Sequence, residues 1–251
     1  MIFFRWFFVC LPLTCLGCSV ALPEHMQLFK EAQSAFDAED YRQSAALYQQ
    51  LLDQGVRSGT VYYNLGNAWA KADEPVRAIV AYYLAKRFIP NDPHLNANLR
   101  TVLTNNGGTM PMPERSLAGS LFFWQDWVGY NTKIWSSSVL TLLTFFGGVL
   151  FLFRRSKRFK RWVIGLAIFT AIILLSVGYD WYRFDGVEQI IVTASTVPRK
   201  GNSEQYEPAF VSPIPFGTQA VVLDERSGWF LLRFPNSQEG WLPQSQTCRL
   251  Q

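Results

Sequence analysis

Two long uncharged segments near the middle of the chain restrict its possible folds more than any other feature. Residues 134–153 are twenty residues without a charged side chain, and residues 162–179 are eighteen more. At about 1.5 Å of rise per residue, a helix of either length nearly crosses the roughly 30 Å hydrocarbon core of a bilayer. A buried hairpin of a soluble protein has a polar face on each helix, and neither segment has one. The sequence therefore predicts a transmembrane hairpin with helices over residues 134–153 and 162–181.

The segment between the two predicted helices indicates their orientation. Residues 154–161 contain six Lys or Arg residues among eight. Short loops rich in Lys and Arg stay on the cytoplasmic side of a membrane. At the other helix ends, Lys133 and Arg183 each have aspartates nearby in the sequence. We therefore expect a cytoplasmic loop over residues 154–161, with both flanking regions on the outer face.

The N-terminus has the pattern of a secretory signal over residues 1–21, with an apolar core at residues 6–16. Small residues before and at Ala21 favour cleavage after it. The Leu-Gly-Cys triplet ending at Cys18 is similar to a lipobox, so lipidation of Cys18 stays open, as does an uncleaved anchor. Each alternative places the following domain outside. Cys248 is the one cysteine beyond this segment, so no intramolecular disulfide is expected in the mature protein.

An internal repeat with a period of about 34 residues occupies positions 28–106. Its second copy resembles the tetratricopeptide (TPR) consensus, and the first copy keeps the same register without a gap. The resemblance implies an all-α TPR domain over residues 22–106, with repeats at about 25–58 and 59–92 and a capping helix at 93–104. The residues that carry the resemblance are interpreted as packing positions: Tyr62, Leu65, Gly66, Trp69, Ala78, Tyr82, Ala85 and Pro90.

A TPR stack has a concave face formed by the first helix of each repeat. Asn64 and Asn98 are one repeat length apart and recur at one position of that face. Amide side chains there can hold the backbone of an extended peptide, although the same asparagines are also common in repeats without that role. Phe29 and His94 replace the lysines of the carboxylate clamp, so recognition of a C-terminal carboxylate is not expected. The predicted peptide groove comprises Phe29, Gln33, Phe36, Tyr63, Asn64, Asn67, Lys71, Ala97 and Asn98.

Two short segments connect this domain to the hairpin. Residues 107–116 contain two glycines and two prolines and predict a linker. Residues 117–130 combine aromatic and aliphatic side chains with Gln125 and Asp126. They predict an interfacial amphipathic helix on the membrane surface, with packing on the TPR domain as the alternative.

The C-terminal region, residues 187–251, changes to a β pattern. Strands are predicted at 190–193, 218–223, 228–234 and 240–243, separated by turns at 213–217, 224–228 and 235–240. The spacing predicts a small all-β barrel, and the residues resemble a bacterial SH3 domain. The Ala-Leu-Tyr-Asp-Tyr motif of eukaryotic SH3 domains is absent, so a polyproline groove is not expected. The residues assigned to structural positions of this SH3-like barrel are Gly217, Trp229, Gly240 and Trp241.

The composition gives little support for catalysis. His25 and His94 are the only histidines, and there is no Gly-rich phosphate loop, H-E-x-x-H or nucleophile motif. We expect a protein that is not an enzyme and that needs no cofactor or metal. The formal charge of +4 is smaller than the six cations of residues 154–161, so it does not indicate nucleic acid binding.

The order of these parts resembles the BatE proteins of the bacterial aerotolerance operon. The resemblance implies a multi-domain membrane protein of the bacterial inner membrane, with periplasmic N- and C-terminal domains. It also implies a scaffold that works with von Willebrand A-domain Bat proteins and a MoxR-type ATPase. An alternative stays open, in which the SH3-like domain binds cell-wall peptides and the protein anchors the envelope.

Overall fold

The computed structural model describes residues 22–109, 127–154 and 156–250. The predicted signal over residues 1–21, including Cys18, lies outside the described residues. So do residues 110–116 of the predicted linker and residues 117–126 of the predicted amphipathic helix. Of the latter segment, residues 127–129 are not helical, and Tyr130 begins the next helix.

Residues 22–109 fold into antiparallel helices with the period that the sequence predicts. Asp40 and Asp92 cap two of them by accepting hydrogen bonds from the backbone N–H groups of Gln43 and Leu95. The turn within each helix pair is the same, because Glu39 and Asp73, one repeat length apart, both have φ near +60°. The helices are α1 (Leu22–Asp37), α2 (Tyr41–Asp53), α3 (Gly59–Lys71), α4 (Pro75–Lys86) and α5 (Pro93–Asn105).

The core of this region lies between the two helices of each pair. A β-carbon at Gly66 would lie 2.5 Å from two ring carbons of Tyr82, so α3 and α4 touch at this glycine. Trp69 is half-buried and lies under the guanidinium of Arg77, which is 4.6 Å from its ring centroid. Pro90 lies in the turn before α5. The other predicted packing residues are all buried: Tyr62, Leu65, Ala78, Tyr82 and Ala85.

Two long helices, α6 (Tyr130–Arg154) and α7 (Lys157–Asp185), form the hairpin. Both are long and apolar enough to cross a membrane, with 24 and 29 residues in the candidate spans. They are longer than the predicted ranges 134–153 and 162–181. Because α7 already begins at Lys157, most of the predicted basic loop 154–161 is helical. The reason is that Lys and Arg have high helix propensity and continue an adjoining apolar helix.

The contact between α6 and α7 is lined by polar side chains. At one end, Lys133 Nζ lies 2.6 Å from Asp180 Oδ2, and both side chains are buried. Near the middle, the hydroxyls of Thr144 and Thr170 are 2.9 Å apart. Many large apolar side chains along both helices are exposed. The hairpin therefore buries its polar groups and presents an apolar surface, the reverse of a helix pair folded in water.

The C-terminal strands are β1 (Gln189–Val192), β2 (Gln219–Arg226), β3 (Trp229–Arg233), β4 (Glu239–Pro243) and β5 (Thr247–Arg249). They form one five-stranded antiparallel sheet in the order β4-β3-β2-β1-β5. Since β4 and β5 lie at opposite edges and are not paired, the sheet is open, and the predicted closed barrel is wrong. Closure needs hydrogen bonds between the two edge strands. Instead, β4 pairs on its outer side with Arg199, whose backbone exchanges two hydrogen bonds with Trp241.

Two details of the sheet differ from the sequence prediction. The strand β2 continues to Arg226, so the predicted turn at 224–228 is reduced to Ser227 and Gly228. Both of these residues have positive φ, +49° and +80°, as a two-residue hairpin turn requires. The strand β5 was not predicted, and it follows β4 after one 3-10 turn at Gln244–Gln246.

The sheet packs directly on the helical repeats. Ile191 and Phe216 belong to the same buried core as α4 and α5. The Tyr83 hydroxyl on α4 donates a 3.2 Å hydrogen bond to the carbonyl of Gly217, and this bond is buried. A β-carbon at Gly217, whose φ is +77°, would collide with Leu103 of α5. The open end of the repeat stack is therefore covered by the C-terminal sheet as well as by α5.

Candidate functional site

The structure brings three of the predicted groove residues into one hydrogen-bonded cluster. Asn98 on α5 donates from Nδ2 to the hydroxyl of Tyr63 at 3.1 Å and to Oδ1 of Asn67 at 2.9 Å. The Tyr82 hydroxyl donates to the same Asn67 oxygen at 2.8 Å. The cluster, which we call the amide cluster (Tyr63, Asn67, Tyr82 and Asn98), joins α3, α4 and α5.

Within the described residues, the amide cluster leaves two donors and one acceptor without a partner: Asn67 Nδ2, the hydroxyl hydrogen of Tyr63 and Asn98 Oδ1. Both hydrogens of the Asn98 amide are used, and Asn67 Oδ1 accepts two hydrogen bonds. Among the described residues, neither Asn67 Nδ2 nor Asn98 Oδ1 has a partner. Both side chains are half-buried, and their hydrogen bonds to each other and to Tyr63 and Tyr82 hold the two amides in place. A neighbouring donor and acceptor complement the C=O and N–H of a peptide backbone.

The remaining predicted groove residues lie around the first repeat and at the end of α3. Asn64 donates from Nδ2 to the hydroxyl of Tyr48 at 3.3 Å. Phe29 packs edge-on against Tyr48, with ring centroids 5.6 Å apart, and Phe36 packs in the same way against Tyr41 at 5.2 Å. Exposed positions are occupied by Gln33, Lys71 and Ala97. Within the described ranges, no hydrogen bond joins these side chains to the amide cluster.

The tyrosines beneath this surface are held in the neutral form. Burial raises the pKa of Tyr82 well above its ordinary value, and the neighbouring Tyr63 adds to the effect. Burial also raises the pKa of Tyr48, although the hydrogen bond from Asn64 partly opposes the shift. Each phenol therefore keeps its proton throughout the physiological pH range. Tyr82 consequently acts as a hydrogen-bond donor to Asn67.

The hydroxyl groups of Tyr48 and Tyr82 are the part of this surface that sequence reasoning missed. Tyr82 was assigned to a packing position, Tyr48 is its counterpart in the first repeat, and both are buried. However, they are one repeat length apart, and each precedes a groove asparagine, Asn64 or Asn98, by the same interval. That recurring Tyr–Asn spacing is the signal from which their polar role was predictable.

The four residues that the sequence assigned to structural positions of the SH3-like domain lie at turns, at strand pairings or at packing contacts of the C-terminal sheet. Gly217 lies at the contact with α5, and Gly240 is buried where a β-carbon would meet Pro198. Trp241 pairs through its backbone with Arg199, whereas Trp229 begins β3 and lines a cleft. Across the described part of the chain, no group of three or more His, Cys, Asp or Glu side chains is placed to hold a metal ion.

Comparison with known families bears on the helical region alone. Residues 29–93 match the tetratricopeptide repeat family. The matched range covers α2, α3 and α4 completely and most of α1, together with the turns between them. No curated protein matches the chain. Since tetratricopeptide repeats are protein-interaction modules, the match indicates that this region binds protein partners.

Proposed function

We propose that this protein is a non-enzymatic membrane scaffold whose TPR groove holds an extended segment of a partner protein. The observation that carries the proposal is the amide cluster, in which Asn67 Nδ2 and Asn98 Oδ1 have no partner among the described residues. The hydrogen bonds to Tyr63 and Tyr82 fix the amides before a partner arrives. Because the amides are already ordered, less conformational entropy is lost on binding.

We also propose that the scaffold lies in a bacterial inner membrane with both folded domains in the periplasm. The support is the apolar surface of α6 and α7 and the cluster of cations at the tip of the hairpin. Both folded domains are attached at the opposite end of the hairpin, next to Tyr130 and Asp185. Exposed aromatic side chains at both ends, Trp135, Trp162 and Trp181, suit membrane–water interfaces.

The resemblance to BatE proteins extends the proposal to the partners. In that reading, the partner segment belongs to von Willebrand A-domain membrane proteins on the same face of the membrane. The C-terminal region is an SH3-like domain in this proposal, supported by five short antiparallel strands with tight turns. Its contact with α4 and α5 orients the groove relative to the membrane helices.

The groove is tested by co-purification from detergent-solubilised membranes. The variant combines Asn64→Ala with Lys71→Glu, because both side chains lie on the predicted face and neither belongs to the amide cluster. We expect at least about a tenfold loss of co-purified partner, since unpaired polar groups in an interface cost about 1–3 kcal/mol each. The matched control makes the same kinds of change on α2, Gln50→Ala with Arg42→Glu, and should keep the partner. Equal retention in both variants refutes the groove.

The orientation is tested with reporter fusions that are active only in the periplasm. Fusions ending at Gly107 and Gly201 should be active, and a fusion ending at Phe159 should be silent. Neutralising four or more of the cations in residues 154–161 should mix the two orientations. Activity of the Phe159 fusion contradicts the proposed topology.

A further inference from the structure

The first turns of α7 carry a group of positive side chains that we call the cationic face. Its members are Lys157, Arg158, Lys160 and Arg161, and all four side chains are exposed. Among the described residues, none of these side chains forms a salt bridge or a hydrogen bond. The first turn of α7 also contains no acidic residue. The positive charge of this face is therefore not neutralised by the part of the chain that the structure describes.

The four cations lie on one side of the helix. Each residue of an α-helix turns by about 100°, so the four positions fall within about 160° of the circumference. Phe159 lies at the middle of the opposite side and is half-buried. Residues three apart on a helix are neighbours, with β-carbons about 5–6 Å apart. The face therefore consists of two adjacent pairs, Lys157 with Lys160 and Arg158 with Arg161.

This arrangement is unfavourable for the helix itself. Like charges three or four residues apart repel each other, and cations near a helix N-terminus are opposed by the helix dipole. The repeat helices begin differently, since Asp40 and Asp92 place a carboxylate at the start of α2 and of α5. Departures from favourable local sequence are expected mainly at functional positions. An anion bound on the cationic face would remove the repulsion, which indicates the charge of a ligand.

The position of the face along α7 indicates where that anion comes from. The uncharged segment 162–179 follows the face directly. The four cations span about 6 Å along the helix axis, and the headgroup layer on each side of a bilayer core is about 5–8 Å thick. Trp162, at the border of the two, is 80% exposed, as suits a membrane–water interface. In a hairpin that spans a membrane, the face therefore lies at the depth of the lipid phosphates.

We propose that the cationic face binds one anionic phospholipid that carries two phosphate groups, such as diphosphatidylglycerol. One phosphate accepts hydrogen bonds from Lys157 and Lys160, and the other from Arg158 and Arg161. Because the two phosphates belong to one molecule, binding of the second is an intramolecular step. A lipid with a single phosphate fills one pair and leaves the other unpaired. This inference rests on the membrane location proposed above and is independent of the TPR groove.

The test is a lipid titration of the full chain, purified free of lipid in detergent micelles, with bound lipid counted by native mass spectrometry. We expect one molecule of diphosphatidylglycerol to bind. Phosphatidylglycerol at twice the molar concentration, and so at equal total phosphate, should bind at least about tenfold more weakly. Two double variants, Lys157→Gln with Lys160→Gln and Arg158→Gln with Arg161→Gln, should each weaken diphosphatidylglycerol binding by at least about tenfold.

Two controls separate the site from net charge and from free phosphate. Lys30→Gln with Arg100→Gln removes two positive charges at exposed positions of α1 and α5 and should leave lipid binding unaltered. Inorganic phosphate at the same total phosphate concentration should not displace the lipid, because it lacks the acyl chains that are held in the micelle beside Trp162.

Three results overturn the proposal. They are equal affinity for the two lipids, equal binding by the face variants and the Lys30–Arg100 control, and displacement of the lipid by inorganic phosphate. Each double variant keeps four of the six cations in residues 154–161, and micelles impose no orientation on the chain. A failed titration is therefore distinguishable from a failure of the proposed topology, which the reporter fusions measure.

Discussion

The guanidinium of Arg87 donates two hydrogen bonds to the carboxylate of Asp185, and the distance from Nη1 to Oδ1 is 2.9 Å. Arg87 directly follows α4, and Asp185 is the last residue of α7. The same guanidinium lies 4.3 Å from the ring centroid of Tyr130 and 5.2 Å from that of Phe184. Burial lowers the pKa of Arg87, but Asp185 and Tyr130 together outweigh burial, so the pKa is raised. A permanently charged arginine therefore ties the repeats to the ends of both long helices.

Replacing Arg87 with Gln should loosen this junction. The Arg87 side chain is only 17% exposed and that of Asp185 is 42% exposed, so we expect the free energy of unfolding to fall by about 1–2 kcal/mol. The measurement is thermal unfolding of the full chain in detergent, followed by circular dichroism. The control is Arg42→Gln, because Arg42 is 78% exposed and lies 3.8 Å from Glu74. An exposed pair contributes about 0–1 kcal/mol, so equal shifts for the two variants contradict the prediction.

Gly66→Ala should destabilise the repeats although it adds one methyl group. The new β-carbon would lie 2.5 Å from the Tyr82 ring, which is buried and hydrogen-bonded to Asn67 and cannot move freely. Overpacking of this kind typically costs about 1–3 kcal/mol. Gly165→Ala is the matched control, since a β-carbon there would meet no described atom within 4 Å other than those of its chain neighbours and its own helix backbone. Thermal unfolding of both variants checks the register of α3 against α4, and an unchanged midpoint for Gly66→Ala argues against it.

Stability should fall at alkaline pH because three tyrosines are buried as neutral phenols. Burial raises the pKa of Tyr48, Tyr82 and Tyr83 above the ordinary value of 10.0. Above about pH 10 the unfolded chain loses these protons before the folded chain does, so the free energy of unfolding decreases as pH rises. Below pH 10 both states are protonated and the contribution is complete.

Unfolding midpoints measured between neutral pH and pH 11 check this dependence. Tyr83→Phe should lower the free energy of unfolding at neutral pH by about 1 kcal/mol, because the hydrogen bond to Gly217 is lost. It should also make the free energy of unfolding fall less steeply above about pH 10, because one buried phenol is gone. Tyr206→Phe, at an exposed position, should change neither quantity. A pH profile of Tyr83→Phe parallel to that of the wild type contradicts the assignment.

Replacing one member of the Lys133–Asp180 ion pair should lower the stability of the hairpin more than replacing both members by apolar residues. Asp180→Asn removes the carboxylate that lies 2.6 Å from the buried ammonium group of Lys133, and removing one member of a buried pair costs about 3–5 kcal/mol. Replacing both residues by apolar ones, Lys133→Met with Asp180→Leu, should cost much less. Unfolding of the hairpin in detergent mixtures gives the comparison. A double variant less stable than the single one overturns this prediction.

The sequence by itself determined the elements whose signal is local. The repeat period predicted α1 to α5, because each repeat places similar side chains at similar positions of a helix pair. The two uncharged segments predicted the apolar helices, and four of the five strands were predicted near their observed positions. The exceptions are instructive. Whether Lys157 continues a helix or joins a loop depends on its neighbours, and β5, with three residues, is too short for a pattern.

Only the tertiary structure decided how these elements meet. Tyr83 and Gly217 are 134 residues apart, and Arg87 and Asp185 are 98 apart, so no periodicity relates them. The closed barrel was predicted from strand spacing, but closure depends on whether β4 and β5 come within hydrogen-bonding distance. The sequence predicted that Asn67 and Asn98 both lie on the groove. It did not predict which of their amide atoms would be left without a hydrogen-bond partner. Hydrogen bonds depend on distances of about 3 Å between specific atoms, and those distances follow from the packing of side chains in three dimensions.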